Sequence, residues 1–275
     1  MMTSKKLHSI GVNLLAWSIS LMMLIPIMLI LLNSLKTSQA ASDMSLALPL
    51  DGLHFENYAL VIQKGKLLIT FLNSLLYSTG SVLLCVLLSA MAAYVLSRNR
   101  SKLHRFLYMF IVLGITMPIN FVTLMKVMQL TQLQNTRPGI ILLYTAIQLP
   151  FNVFLIYSFV GKVPRDIDEA AVIDGCSSVR LFSAVVFPLL KPVLVTVMVL
   201  TFLNTWNEFV LPLYFLGSSS MWPMTLAVYN FFGMYATNWN LVSADIVLTC
   251  LPVVIVYLLG QKHIVAGMTA GAVKS

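Results

Sequence analysis

The sequence predicts an all-α membrane protein with six transmembrane helices and one helix–turn–helix on the cytoplasmic side. Of its 275 residues, 59% are hydrophobic and only 9% are charged, whereas a soluble domain has about a quarter charged residues. Several charge-free runs reach the roughly 20 residues that a helix needs to span a bilayer. These runs lack the alternating pattern of barrel strands, so the spans are predicted to be helical.

Apolar runs, of which the first four are charge-free, place the six spans along the chain. The first run, residues 9–35, follows Lys5 and Lys6 and superficially resembles a signal peptide. It is longer than a secretory apolar region and no small-residue cleavage site follows it, so we predict a retained span. The predicted spans cover about residues 10–32, part of 67–97, 106–125, 139–160, 193–216 and 241–261.

The distribution of Lys and Arg predicts the orientation, because basic residues collect in cytoplasmic loops. Twelve basic residues fall on one side of the predicted spans and five on the other. The first group is Lys5, Lys6, Arg98, Arg100, Lys102, Arg105, Lys162, Arg165, Arg180, Lys191, Lys262 and Lys274; the second is Lys36, Lys64, Lys66, Lys126 and Arg137. Both termini are therefore predicted to be cytoplasmic. The net charge of +8 is explained by topology and does not indicate nucleic-acid binding.

One stretch between two apolar spans, residues 166–188 and here called the acidic segment, carries four of the nine acids of the chain. They are Asp166, Asp168, Glu169 and Asp174. Asp166 is predicted to cap a helix, Gly175 to provide the positive-φ turn that ends it, and Ser177 to cap a second helix. Two interpretations remain open: a solvated loop helix with favourable end charges, or a thin helix that inserts into a groove on a soluble partner.

The same stretch resembles the EAA motif of ABC importer permeases, usually written EAA-x3-G-x9-I-x-L-P. Here Glu169, Ala170, Ala171 and Gly175 match, and Val185-x-Phe187-Pro188 follows at the required spacing, with Val for Ile and Phe for Leu. The C-terminal GMTAGAVKS, residues 267–275, is similar to the tail of carbohydrate importer permeases, with Ser275 in place of the last Gly. NTWNEFVLP and FENYALV also resemble this family, and specifically the second, six-span permease of maltose-type importers.

The resemblance implies an ABC type I importer permease fold and a single permease domain over residues 1–275. Its core would be about 67–261, its coupling loop 162–191 and its cytoplasmic tail 262–275. It implies contact with a cytoplasmic ATPase through the motif: Glu169, Ala170, Ala171, Asp174, Gly175 and Pro188. It also implies that the tail lies at the ATPase interface, through Gly267, Thr269, Gly271 and Lys274.

The resemblance further implies the partners and the location. The partners would be a second permease, two ATPase subunits or an ATPase homodimer, an external solute-binding protein and membrane lipid, with no nucleic acid. The location would be the bacterial inner (plasma) membrane, crossed several times. The sequence has no GxxxxGK[ST] motif, so we predict no enzyme activity and no cofactor in this chain. ATP and Mg²⁺ would bind to the partner ATPase.

Polar residues near one span end predict part of a substrate path. Glu208 and Asp245 are the only acids within the predicted spans, and ionisable residues at membrane depth indicate function. Asn204, Trp206 and Asn207 next to Glu208 add amides and an aromatic ring, which suit the hydroxyls and the C–H face of a sugar. Both acids could instead be structural hydrogen-bonding groups. The four His residues show no metal-ligand spacing, so no metal site is predicted.

Three alternatives compete with a sugar-importer permease. A stand-alone secondary transporter or channel would need more intramembrane charge for ion coupling. An ABC importer for another solute, such as a glycerol phosphate, would share the same architecture. A membrane enzyme is disfavoured because the chain has neither HExxH nor GxSxG.

Overall fold

The computed structural model describes residues 4–99, 101–232 and 237–272, with side chains for 11–99, 101–232 and 237–262, and it contains no strand in these ranges. The helices are α1 (Ser4–Ser34), α2 (Ser38–Ala41), α3 (Glu56–Lys64), α4 (Leu67–Arg98), α5 (Lys102–Leu113), α6 (Phe121–Leu130), α7 (Arg137–Val160), α8 (Asp166–Ile173), α9 (Ser178–Arg180), α10 (Phe187–Leu189), α11 (Lys191–Asn207), α12 (Val210–Phe215), α13 (Met224–Ala227) and α14 (Trp239–Ala272). A π-helix occupies Leu181–Val186. The predicted all-helical class is confirmed.

Four of the described helices are single segments long and apolar enough to cross a membrane: Gly11–Ser34 of α1, α4, α7 and Trp239–Lys262 of α14. A fifth span is possible if Ser178–Leu189 and Lys191–Asn207, bent by 77°, cross together. The predicted third span, residues 106–125, is not one helix, because α5 ends at Leu113 and α6 begins only at Phe121. Pro118 lies in this break and lacks a backbone donor. The six-span count therefore stays a prediction.

The chain divides into two compact units, and the divisions fall within α4, α13 and α14. The first unit comprises Met1–Leu68 and Ala227–Leu251. Its apolar core is small, and it joins α3 to the start of α14. The core residues are Val61, Phe231, Leu241, Val242 and Ala244. In contrast, α1 exposes its apolar residues along the span, as expected for a helix that faces lipid.

A buried lysine organises the polar part of this first unit. Lys36 is only 3% exposed, and its Nζ donates to Asn33 Oδ1 at 3.1 Å, to the Ser45 carbonyl at 2.7 Å and to Ser45 Oγ at 3.1 Å. Asn57 donates to the carbonyls of Ser34 and Lys36, both at 2.9 Å, and accepts from Asn240. All three Lys36 donors are thus satisfied by neutral acceptors, which makes this a structural network.

The second unit comprises Ile69–Leu226 and Pro252–Ser275. Small residues bring its long helices together: a Cβ on Gly80 of α4 would lie 3.1 Å from Ile141 Cδ1 of α7. Likewise, a Cβ on Gly260 of α14 would lie 2.7 Å from Val199 Cγ1 of α11. Membrane helices pack through such small residues because lipid provides no hydrophobic drive between them.

Two apolar clusters form the core of the second unit. One packs α4 and α7 against the acidic segment and the start of α11: Val86, Ala90, Ala93, Ile156, Val160, Ala171, Leu181, Val186, Leu190, Val193, Leu194 and Val197. The other packs α4, α6, α7 and α12: Tyr77, Met128, Ile140, Leu143, Tyr144, Leu211, Phe215 and Leu216. The acidic segment is therefore part of the core packing and is not a loose loop.

The 77° bend at Leu190 has a local cause. Pro188 and Pro192 flank it, and each removes one backbone donor from the helical ladder. Just before the bend, the chain widens into the π-helix Leu181–Val186, a form that is uncommon and is often found at functional sites. The acidic segment is thus joined to α11 by irregular but well-packed backbone.

Candidate functional site

The acidic segment folds as a short helix, a glycine turn and a second helix, as the sequence predicted. The N-cap of α8 is Arg165, without a side-chain cap, so the predicted capping role of Asp166 was wrong. Asp166 instead lies in the first turn with two other acids, where the helix dipole favours negative charge. Gly175 has φ +78° and makes the turn. Ser177 Oγ accepts from the Arg180 amide at 3.4 Å, which confirms the second cap.

An ion pair fixes α8 to the end of α4. Arg98 Nε lies 2.6 Å from Asp168 Oδ2, and the two side chains are only 13% and 15% exposed. Arg98 Nη2 donates to Asp168 Oδ1 at 3.4 Å, so a hydrogen bond accompanies this ionic contact. Arg98 Nη1 also donates to the Val163 carbonyl at 3.1 Å, and Tyr94 donates to Asp168 at 3.4 Å. The sequence analysis did not predict this pair.

The outer surface of the acidic segment is uncovered. Glu169, Ala170, Asp174, Gly175 and Pro188 are exposed. Next to them, three apolar side chains are also exposed: Val172 at 60%, Ile173 at 85% and Val179 at 78%. Ala171, in contrast, is 7% exposed and packs into the core. Of the two alanines, only Ala170 is therefore exposed, and contact of this pair with an ATPase stays a prediction.

A second feature is a polar cavity of about 400 Å³ between α7 and the end of α11. Asn204, Asn207 and Glu208 line it together, as their spacing predicted. Glu208 Oε1 accepts from the amides of Val210 and Leu211 at 2.8 and 3.1 Å, so this oxygen caps α12. Within the described residues, Glu208 Oε2 and the Asn204 amide have no partner and are available to a ligand.

Two residues of α7 that the sequence analysis missed complete the cavity. Tyr144 and Gln148 lie one helical turn apart and both line it. Tyr144 is 3% exposed, yet its hydroxyl has no hydrogen-bond partner among the described residues. Gln148 donates to Thr205 Oγ1 at 2.9 Å. A buried hydroxyl without a partner is uncommon, and here it belongs to a residue that lines a polar space.

Two residues considered from the sequence lie outside this cavity. Trp206 is 1% exposed and packs against Phe71 and Phe202, with ring centroids 5.8 and 5.4 Å apart. It does not line the polar cavity but packs in the core, and its predicted role in the path stays a prediction. Asp245, in the first unit, is 1% exposed, and its Oδ1 has no partner among the described residues.

The comparisons with known proteins bear on the whole arrangement. The profile of the family described as "Binding-protein-dependent transport system inner membrane component" matches residues 85–270. That range includes the acidic segment and the polar cavity.

The chain belongs to this family.

Its relatives include other members with named transport roles. The diacetylchitobiose uptake system permease protein NgcG of Streptomyces coelicolor is 34% identical, over 94% of this chain and 86% of its own length. The probable starch degradation products transport system permease protein AmyC of Thermoanaerobacterium thermosulfurigenes is 33% identical, over 93% of each chain. The melibiose/raffinose/stachyose import permease protein MelC of Bacillus subtilis is 31% identical, over 96% of each.

A solved structure has the same fold as this chain. A chain of the bacterial ABC transporter involved in the import of the acidic polysaccharide alginate superposes with a TM-score of 0.84. The match covers 95% of this chain and 98% of that one at 22% identity. The predicted ABC importer permease fold is therefore confirmed.

The C-terminal residues predicted for the ATPase interface are only partly described. Gly267, Thr269 and Gly271 belong to α14, which runs to Ala272, but their side chains are outside the described set. Lys274 lies outside the described residues altogether. The predicted contact of this tail stays a prediction for this member of the family.

Proposed function

We propose that this chain is the permease subunit of an ATP-driven carbohydrate importer and forms half of its translocation path. In this proposal a second permease supplies the other half, a cytoplasmic ATPase supplies the energy, and an external binding protein delivers the sugar. The observation that carries the proposal is the exposed surface of the acidic segment, where Glu169 and Ala170 lie next to exposed Val172 and Ile173. Such a short helix with an uncovered apolar surface fits a groove on a partner.

The contacts on the inner side of α8 support a coupling role. A force on α8 from the ATPase would reach α4 through the Arg98–Asp168 pair and through Ala171, which packs into the same core cluster as α4 and α7. Because packed cores deform little, α8 and the ends of these spans would move together. The prolines around Leu190 would let the start of α11 pivot in the same step.

The polar cavity supports a neutral sugar or oligosaccharide as the substrate class. It offers a hydroxyl on Tyr144, amides on Gln148 and Asn204 and one carboxylate oxygen on Glu208, and no basic side chain lines it. Amides and a carboxylate oxygen bind hydroxyl groups well, whereas an anionic solute would meet Glu208 without a compensating cation. Two relatives are named for the uptake of diacetylchitobiose and for the import of melibiose, raffinose and stachyose, which agrees with this class.

The test is a charge reversal on the exposed surface. Glu169→Lys is expected to lower ATP-dependent uptake about tenfold or more in reconstituted vesicles, because about 1.4 kcal/mol of lost docking energy is a factor of ten. The ATPase is also expected to be lost during purification from mild detergent. Folding should not change, since Glu169 is exposed and has no ion-pair partner among the described residues.

Asp43→Lys is the matched control, because Asp43 is an equally exposed acid in the first unit. It is expected to retain both uptake and the ATPase. Unchanged uptake in the Glu169 variant, with the protein present in the membrane, would contradict the coupling role. If the purified chain alone carried out transport driven by an ion gradient, the chain would be a secondary transporter and not a subunit of an ATP-driven importer.

A further inference from the structure

A larger, basic cavity lies where α4 ends, α5 begins and α7 leads into α8. We call it the basic cavity; its volume is about 860 Å³, and four cationic side chains line it: Arg98, Arg105, Lys162 and Arg165. No acid lines it among the described residues. Asp168 pairs with Arg98, which leaves three cations without a carboxylate. These three charges are compensated either by solvent or by an anionic occupant.

The four cations differ in how free they are. Arg98 is held by Asp168 and the Val163 carbonyl, and Arg165 donates to the Ser97 carbonyl at 3.3 Å. Arg105 and Lys162 are exposed, and their side chains make no hydrogen bond or ion pair within the described part of the chain. The cavity therefore has two fixed cations, which shape it, and two free cations, which can close on a ligand.

Part of the wall of the basic cavity is apolar and aromatic, which distinguishes the cavity from a site for a small ion. Tyr108 of α5 stacks on Tyr157 of α7 with ring centroids 3.8 Å apart, and both rings line the cavity together with Met109. Tyr is common at the level of the lipid headgroups. The same helix exposes Phe106 and Phe110, so an apolar surface continues from the cavity along α5.

This combination selects the ligand. We propose that the basic cavity binds the phosphodiester headgroup of an anionic phospholipid, with the acyl chains lying along the exposed apolar residues of α5. The phosphate contacts the free Arg105 and Lys162, and Arg98 and Arg165 supply the surrounding positive potential. The count of basic residues predicts this end of the spans to be cytoplasmic, where anionic lipid attracts basic groups. The site does not depend on sugar import or on the ATPase.

The test measures lipid retention on the full chain, purified in mild detergent with any subunits that remain bound to it. Dioleoylphosphatidylglycerol and dioleoylphosphatidylcholine, which have the same acyl chains, are titrated separately and the bound lipid is counted by native mass spectrometry. Phosphatidylglycerol is expected to bind in preference. Arg105→Gln with Lys162→Gln is expected to weaken it by roughly 10- to 30-fold, since each basic residue near a lipid surface contributes about fivefold.

The double variant Lys191→Gln with Lys262→Gln is the matched control. Both lysines are exposed and lie outside the basic cavity, and the two substitutions remove the same number of positive charges as the test variant. It is expected to bind phosphatidylglycerol as the unmodified protein does. Equal weakening by both double variants would overturn the site in favour of diffuse attraction. Equal retention of the two lipids would also overturn it. Displacement of the lipid by millimolar inorganic phosphate would reassign the cavity to a soluble anion and overturn the lipid assignment.

Discussion

The acidic segment and the polar cavity both belong to the second unit, but their polar groups are satisfied in opposite ways. In the acidic segment, the inward acid Asp168 is paired with Arg98, and the uncovered residues face outward. In the polar cavity, Glu208 uses one oxygen to cap α12, and the groups without partners, including the Tyr144 hydroxyl, lie on the inside. The first arrangement is typical of a rigid element that a partner moves, and the second of a space that a polar ligand fills.

This difference separates two kinds of variant. Changes to the inner side of the acidic segment should lower stability, because they disturb packed or paired groups. Changes to the unpartnered groups of the cavity should leave stability alone and alter transport. If variants of the acidic segment and of the polar cavity changed stability and transport in the same way, the proposed difference between the two regions would be wrong.

The largest expected effect is on the ion pair. Asp168→Asn leaves the mostly buried Arg98 without its counter-ion and is expected to lower the free energy of unfolding by about 3 kcal/mol. Unfolding is followed by titration with sodium dodecyl sulfate in mixed micelles. Arg98→Met with Asp168→Asn, as a double variant, is expected to lose less than the sum of the two single losses. Strict additivity would mean that the pair does not hold α8 to α4.

The two alanines of the motif give the next effect. Ala171→Leu overfills the core cluster and is expected to cost about 1–3 kcal/mol of unfolding free energy. Ala170→Leu, on the exposed side, is expected to change stability by less than about 0.5 kcal/mol and to reduce retention of the ATPase in pull-downs. Each variant serves as the control for the other. If Ala170→Leu were the more destabilising of the two, the assignment of inner and outer faces would be wrong.

The smallest effect on stability is expected at Tyr144. Removal of its unpartnered hydroxyl by Tyr144→Phe should change the unfolding free energy by less than about 0.5 kcal/mol, but it should raise the KM of sugar uptake several-fold. Tyr77→Phe is the matched control, since the Tyr77 hydroxyl donates to the Met221 carbonyl at 2.8 Å. That variant should lose about 1 kcal/mol with KM unchanged. An unaltered KM in Tyr144→Phe would remove the hydroxyl from the sugar path.

The sequence was sufficient where the signal is local. The turn at Gly175 and the cap at Ser177 were predicted because a positive-φ position and a capping hydroxyl leave marks within a few residues. The shared face of Asn204 and Glu208 follows likewise from helical spacing. The misassigned cap at Asp166 shows the limit of such signals, since helix boundaries shift by one residue easily.

The sequence was insufficient where distant elements meet. The Arg98–Asp168 pair joins residues 70 positions apart, and Tyr144 becomes a cavity residue only because α7 packs beside α11. Trp206 was assigned to the path because its neighbours are polar, but its own side of α11 is buried. Hydropathy also predicted a single span over residues 106–125. A hydropathy average extends across the break between α5 and α6 and does not show whether the helix is continuous there.

The π-helix before the bend changes how the positions around it are to be counted. An α-helix turns by about 100° per residue, whereas the wider i→i+5 turn advances by a smaller angle at each step. A helical wheel drawn from Ser178 is therefore out of phase with the chain once it has passed Leu181–Val186. If one helical wheel is used to choose positions for cysteine pairs or spin labels at both ends of this segment, the side chains at the far end will point in unintended directions. The residues before and after the π-helix therefore require separate helical wheels.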